Sequence, residues 1–330
     1  MKATNCWRRF RMYSMSWDIR IGGYRLRTLE MVTIKRSVEL LSDTATIVIP
    51  ATVFNRAIEV EGKLKVGDAV EIRLGYDDSL QTEFTGYLKS IKTDGGSLTL
   101  ECEDGIYLFR KSLNDEELKN VNVSAILQKV CSQVGGFSVS CDYDFSYDKF
   151  VISNATGYDV LKKIQDEASP NIYLKDSVLH VHPQYAEIFG EARYDFSKNI
   201  EREGTDLKYK SADDRKLMVV VESKDPTGKT ISVEKGTTGG DKMTIKMSGV
   251  TLRPSLEAKA QQVLEQKVYT GYEGNFQAWL LPYVDAGYKV VISDPDYEYK
   301  DGAYYVTGVE TTFSRNGGVR KVTLGKRIGR

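Results

Sequence analysis

The chain carries one small β-unit twice, 220 residues apart, and no other feature narrows its fold so far. The first copy opens at Gly67 with GDAVEIRLGY, continues through FTGYLKSI (Phe84 to Ile91), turns at Asp94-Gly95-Gly96 and returns as SLTLEC. The second opens at Gly287 with GYKVVISDPD, continues through YVTGVETTF (Tyr305 to Phe313), turns at Asn316-Gly317-Gly318 and returns as VRKVTLG. From Gly86 to Gly95-Gly96 the spacing is 9 and 10 residues, and from Gly308 to Gly317-Gly318 it is the same. Opening glycine to central glycine differs by two residues, 19 against 21, which preserves the parity of strand faces. A repeat of this kind describes a duplicated scaffold, a protein that works by shape.

Residues 17 to 110 read as β throughout, with two short strands around Gly22-Gly23 and a β-branched run, TATIVIP, within Val38 to Ile49. In GDAVEIRLGY, Val70, Ile72 and Leu74 share one face and Glu71 and Arg73 the other. Asp77-Asp78-Ser79 supplies a turn, and Gly86 interrupts the inward face of the next strand, which predicts a bulge or sharp bend. Short strands at this spacing predict a small antiparallel barrel.

The character changes at Asn114. Ile126, Leu127 and Val130 predict a helix over Val121 to Gln133, with Ser124 as N-cap and Gly135-Gly136 as its stop. A second helix begins at Thr156 with a capping box to Asp159, carries Val160, Leu161, Ile164 and Ala168, and ends at Pro170. Strand-like FSVSC, FVIS, NIYLKD and SVLHVHP surround them. From Ile200 the β pattern resumes, with one helix capped at Ser255 before the second copy of the repeat. The expected fold is mainly β (α+β): two similar small antiparallel β-barrels separated by an α+β domain, with a helix inserted in the second. The expected boundaries are 1–16 as a flexible leader, 17–112 as the first barrel, 113–185 as the α+β domain and 186–330 as the second barrel, its helix at about 255–270.

Lys plus Arg number 46 and Asp plus Glu 46, a balance that argues against binding nucleic acid through a large positive field. No apolar run reaches the ~20 residues that span a bilayer. The basic start, MKATNCWRRFRMYSMSW, lacks the apolar stretch of a signal peptide and reads as a leader, with initiation at Met12 or Met15 as an alternative. Cys6, Cys102, Cys131 and Cys141 form no CxxC pair, which fits synthesis and assembly in a reducing cytoplasm.

Signals for chemistry are weak. KLMVVVE followed by SKDPTGKT imitates a phosphate-binding loop, but Ser223 stands where its first glycine belongs and the following ISVEKG is strand-like. A hairpin turn explains it. His180 and His182 share a strand face, a spacing that can chelate zinc, yet no further ligand is clearly placed. Asp294-Pro295-Asp296-Tyr297-Glu298 and Asp142/Asp144/Asp148 lack the glycine and terminal Glu of a calcium loop. Six tyrosines near the second repeat (Tyr283, Tyr288, Tyr297, Tyr299, Tyr304, Tyr305) suit an interface or a carbohydrate groove. No catalytic, cofactor-binding or metal residue is assigned.

Four stretches together resemble the baseplate hub family of contractile phage tails, which includes late control protein D and the N-terminal part of VgrG spikes. They are TATIVIP; GDAVEIRLGYDDSLQTEFTGYLKSI leading into LTLECEDGIYLFRKS; TGYDVLKKIQDEASPNIYLKDSVLHV; and AGYKVVISDPDYEYKDGAYYVTGVE. The likeness extends from about residue 17 to 325. It implies a homotrimeric ring in which three chains offer six similar barrels, mating a sixfold tail tube to a threefold spike. It implies tail tube protein, spike protein and other baseplate components as partners, with no membrane insertion and no sequence-specific nucleic-acid binding. The location it implies is the virion tail baseplate, assembled in the bacterial host cytoplasm. It carries no catalytic residues and no cofactor. Because the chain ends at Arg330 without a β-helical needle or fused lysozyme, the spike and any cell-wall enzyme are expected to be separate polypeptides. The contact surfaces are expected on the strands within 69–91 and 288–313. Competing expectations are a carbohydrate-binding tail or surface module and, behind it, a glycoside hydrolase.

Overall fold

The computed structural model describes residues 13–50, 52–53, 56–57, 63–94, 96–224 and 228–329. Residues 1–12 of the expected leader lie outside these, and a strand already begins at Met15 within it.

The first unit holds β1 (Met15–Ile21), β2 (Tyr24–Arg25), β3 (Met31–Ser37), β4 (Thr44–Pro50), the short β5 (Thr52–Val53) and β6 (Arg56–Ala57), then β7 (Ala69–Tyr76), β8 (Ser79–Asp94) and β9 (Ser97–Glu103). Asp77 and Asp78 both have positive φ (49° and 60°) in the two-residue turn between β7 and β8, the geometry that continues the strands' own twist. Period-two alternation turns Val32, Ile34, Ala45, Ile47, Val70, Ile72, Leu98 and Leu100 into one aliphatic core.

The middle block holds β10 (Glu116–Asn122), α1 (Val123–Val134), β11 (Ser138–Cys141), β12 (Ser146–Ile152), α2 (Gly157–Ala168), β13 (Pro170–Lys175) and β14 (Val178–Pro183). Asn122, rather than Ser124, caps α1 by accepting from the Ala125 N–H at 2.8 Å, because β10 leads straight into the helix. The Thr156/Asp159 capping box of α2 is present as expected.

The rest comprises β15 (Glu191–Asp195), β16 (Glu201–Lys210), a sheet of β17 (Leu217–Lys224), β18 (Thr230–Gly236) and β19 (Asp241–Ser248), then α3 (Arg253–Lys267), β20 (Gly271–Trp279), β21 (Lys289–Ser293), β22 (Gly302–Ser314) and β23 (Gly317–Gly329). The helix starts at Arg253, not after Ser255, with no side-chain cap; Pro254 in its first turn fixes φ and needs no N–H partner. In chain order β17–β19 and α3 interrupt the second unit between β16 and β20. In space, Val219, Val221, Val233, Leu256, Ala260 and Val263 join the core of the middle block. The second unit keeps its own core, rich in rings: Tyr194, Tyr272, Phe276 and Tyr304.

Among the described residues the fold is mainly β with three α-helices, as the alternation required, and the two units form no closed barrel. They share one 13-stranded sheet, in which β22 of the second unit pairs antiparallel with β3 of the first from Gly308↔Ser37 to Ser314↔Met31.

Candidate functional site

The repeat is real in three dimensions, but its anchor is the opening glycine. Gly67 (φ 93°) donates its N–H to Leu88 O at 2.7 Å, and Leu88 N–H returns to Asp68 O at 2.8 Å. Gly287 (φ 82°) donates to Val306 O at 2.9 Å, and Val306 N–H returns to Tyr288 O at 2.8 Å. One residue later each long strand bulges, at Lys89 and at Thr307. Leu88 and Val306 are therefore equivalent, and Gly86 and Gly308 are not. Gly86 is the one that requires glycine, since a Cβ there would meet Glu103 O at 2.2 Å.

From these anchors the strands can be matched. In the first unit Ile34, Ala45, Cys102 and Leu88 lie in one row across β3, β4, β9 and β8. In the second, Leu207, Gly274, Leu324 and Val306 lie in one row across β16, β20, β23 and β22. So β16 takes the place of β3, and β8 that of β22.

Where β22 meets β3, the join is closed by buried charge. Glu83 is the extra residue of a bulge between β7 and β8, which turns its carboxylate inward. It accepts from Arg320 Nη2 at 2.5 Å and from Arg36 Nη2 at 3.3 Å. Arg36 Nη1 also donates to Asp285 at 2.6 Å and to the Tyr283 hydroxyl at 3.0 Å, while Arg320 Nη1 donates to Val284 O at 3.2 Å. Arg320 is 0% exposed, Glu83 1% and Arg36 9%. Burial opposes the Arg36 charge, but Asp285, Tyr283 and Glu83 outweigh it and hold its pKa above the ordinary value. Burial pushes the Glu83 pKa up, with Arg320 and Arg36 pulling it back. Two cations face two anions, so the group is neutral as a whole, and losing any member strands a charge.

Beside this network lies a cavity of about 850 Å³, bounded by both units and the middle block; Asp43, Asp104, Tyr173 and Tyr288 are in its wall. Asp104 accepts from Ser42 Oγ, Asp43 N–H and Ile106 N–H at 2.9 to 3.0 Å. Burial raises its pKa to about 6, and burial with the Asp104 charge raises that of Asp43 well above the ordinary range.

Among the described residues, the edges equivalent to the two sides of the β22–β3 join have no strand paired to them. β16 ends the 13-stranded sheet. The β7-facing edge of β8 is paired with β7 only as far as Tyr87, so Ser90 to Lys92 lie beyond it, whereas the equivalent stretch of β22 is the one bonded to β3. Tyr209 on β16 occupies the place of Arg36. It lines a cleft of about 930 Å³ with Tyr269, Tyr299, Asp301 and Arg327.

Other expected groups fall elsewhere. SKDPTGKT is the β17–β18 hairpin, whose residues 225–227 lie outside the description. Among the described residues no cluster of three His, Cys, Asp or Glu could hold a metal. Asp148 accepts from Thr251, Asp142 meets His182, and Asp294 accepts from the Tyr272 hydroxyl at 3.0 Å. Of the six tyrosines near the second repeat, Tyr304 and Tyr305 are core, Tyr283 and Tyr288 belong to the join and cavity, and Tyr297 and Tyr299 are exposed. The sequence reading missed Arg36, Glu83 and Arg320. A signal existed for two of them: Arg36 keeps the inward parity of Val32 and Ile34, and Arg320 that of Val322 and Leu324, where charge is costly without a partner.

No family model matches the chain, and no curated protein matches it. Solved structures do. The tail protein from Neisseria meningitidis MC58 superposes with a TM-score of 0.65 at 17% identity, covering 95% of this chain and 97% of that one. The 43 kDa tail protein of prophage MuSo2 from Shewanella oneidensis gives 0.65 at 15%, covering 93% and 97%. An E. coli type VI secretion component, described as similar to T4 bacteriophage tail proteins gp27 and gp5, gives 0.60 at 10%, covering 94% and 76%. Across nearly its whole length the chain has the fold found in phage tail and type VI secretion proteins, the likeness that its sequence motifs carry.

Proposed function

We propose that this protein is a structural hub of a phage tail baseplate or related injection machine, a ring of three chains that adapts a sixfold tube to a threefold spike. The observation that supports it is a pair of edges to which no described strand is paired. Within the chain, β3 of one unit is bonded to β22 of the next. The equivalents with no strand paired to them among the described residues are β16 and the Ser90–Lys92 stretch of β8, so one chain's β16 matches the β8 of its neighbour in a head-to-tail join of the same kind. A join repeated in this way closes as a ring when the rotation fits, and three chains with two units each supply six docking positions.

The two kinds of join differ in strength. In the inner one Lys35 lies opposite Glu310. By the same matching, the outer one sets Lys208 opposite Lys92 of the neighbour, and their own partners Asp206 and Glu101 offset the like charges. A ring of isolated chains is therefore weak, and tube and spike proteins assist its closure. The cleft around Tyr209 falls within this outer join, which favours burial against a neighbouring chain over sugar binding for its exposed rings.

The test is a double variant, Lys92→Cys with Lys208→Cys, oxidised alone and with tube and spike proteins present. Covalent species that stop at three chains are expected, together with trimers in light scattering of the co-assembled wild type. A chain that stays monomeric and uncrosslinked with those partners present sinks the reading.

A further inference from the structure

In the inner join a loop of the second unit presents Tyr283 and Asp285 to Arg36 of β3, beside the carboxylate of Glu83. The first unit has the same loop. Asp68 N–H donates to Lys65 O at 3.0 Å, as Tyr288 N–H donates to Asp285 O at 3.2 Å, across the anchoring glycine in each case. Leu64 and Val284, one residue earlier, are both buried. Asp285 and Tyr283 therefore correspond to Lys65 and Lys63, and both lysines are exposed. A negative loop in one unit is a positive loop in the other.

The receiving side has changed in the opposite sense. Tyr209 stands in the place of Arg36. Phe84 pairs with Ile72 as Gly302 pairs with Ile292, which puts Asp301 in the place of Glu83. Thr93 pairs with Leu98 as Thr311 pairs with Arg320, which puts Leu98 in the place of Arg320. Both arginines of the inner network thus have uncharged equivalents, while the carboxylate of the receiving unit persists. The wall of the Tyr209 cleft adds Glu298, and the segment from Asp294 to Asp301 carries four carboxylates against Lys300. Arg327, also in the wall, directs its donors to the carbonyls of Thr270, Asp301 and Gly329. Tyr209 and Tyr299 stand nearly perpendicular, 6.0 Å apart. Rings backed by carboxylates attract an ammonium group.

We propose that the Tyr209 cleft is the socket for Lys65 of the neighbouring chain, with Lys63 beside it, so that the outer join repeats the inner one with its charges reversed. The socket rests on the head-to-tail ring of the proposed function and adds to it a rule for which loop enters which site. Lys65 set against Arg36, or Asp285 set against Glu298 and Asp301, would bring like charges together. Each loop is accepted at one join and refused at the other, which keeps β22 of one chain away from β16 of the next.

The test uses the 330-residue chain carrying Lys92→Cys and Lys208→Cys, oxidised with tube and spike proteins present. Adding Lys65→Glu is expected to lower the yield of crosslinked trimer about tenfold, and Glu298→Lys by a similar factor. The two together should return the yield to within about twofold of the background, as a charge pair reversed in both members does. Both positions are exposed, so circular dichroism should be unchanged in every variant. A background that forms no crosslinks overturns the ring and the socket together. Crosslinking that ignores Lys65→Glu, or a reversed pair no better than its single variants, overturns the socket and leaves the ring standing. Quenching of tyrosine fluorescence by chitotetraose, with crosslinking indifferent to Lys65→Glu, would assign the cleft to a sugar and overturn the socket as well.

Discussion

The two units have the same strand scheme and opposite internal chemistry. The first fills its core with aliphatic side chains such as Ile34, Ile47 and Leu100. The second uses rings whose hydroxyls need partners: Tyr272 donates to Asp294, and Tyr304 accepts from the Tyr272 N–H at 3.0 Å. They also differ in what their long strands do after the bulge. β22 reaches across to β3, while Ser90 to Lys92, in the corresponding stretch of β8, meet no second strand among the described residues on their outer edge. Hydrogen-bond geometry at Gly67 and Gly287 is therefore enough to keep a topology, while packing and edge use are free to diverge around it.

The comparison breaks most decisively at the inner join. Arg320→Met leaves Glu83 buried and short of its closest partner, and a loss of about 3–5 kcal/mol is expected by denaturant titration. Combining it with Glu83→Leu should recover much of that loss, since no carboxylate then remains unpaired. A single variant costing under ~1 kcal/mol would refute the network's role in holding the units together.

The glycines give the next largest contrast. Gly86→Ala drives a Cβ into Glu103 O and should cost about 1–3 kcal/mol. Gly308→Ala finds its nearest neighbour, Arg36 O, at 3.3 Å and should stay within ~0.5 kcal/mol of the wild type. Equal costs at both positions would restore the glycine alignment read from sequence. In the ring-rich core, Tyr304→Phe removes the acceptor of a buried N–H and should cost about 1–2 kcal/mol, with the fold retained in circular dichroism.

A smaller effect separates the units by pH. Asp104 follows β9 at the cavity wall, where the second unit has Lys326 in the equivalent place after Leu324 and Gly325. Its raised pKa means that the folded chain favours the neutral carboxyl. The stability it contributes is present below the unfolded value of ~4 and is lost as pH rises to about 6. Asp104→Asn should flatten the melting temperature over that window, and an unchanged profile would remove Asp104 from the account. The smallest effect belongs to Lys35 and Glu310, both largely exposed at 3.6 Å across the same join. Deleting either should cost no more than ~0.5 kcal/mol.

Much of this fold was legible because its signals are local. The Asp77-Asp78 turn, the capping box at Thr156 and the alternation of Val70, Ile72 and Leu74 each depend on a few neighbouring residues, and each lies where the sequence indicated. The misreadings arose where another local signal prevailed: Pro254 over Ser255 at the start of α3, Asn122 over Ser124 at α1. Gly86 and Gly308 matched in letters and not in register, because a bulge shifts strand pairing without altering composition.

What the sequence determined by itself was the duplicated β-unit and the helices between, since period and turn chemistry are properties of short segments. Only the tertiary structure decided that β22 bonds to β3, that α3 packs on the middle block, and that Arg36, Glu83 and Arg320 meet. Those pairings join residues up to 283 positions apart, from Met31 to Ser314. At such separations a one-residue bulge redirects a carboxylate from solvent into a core, and no local pattern records which partner waits there.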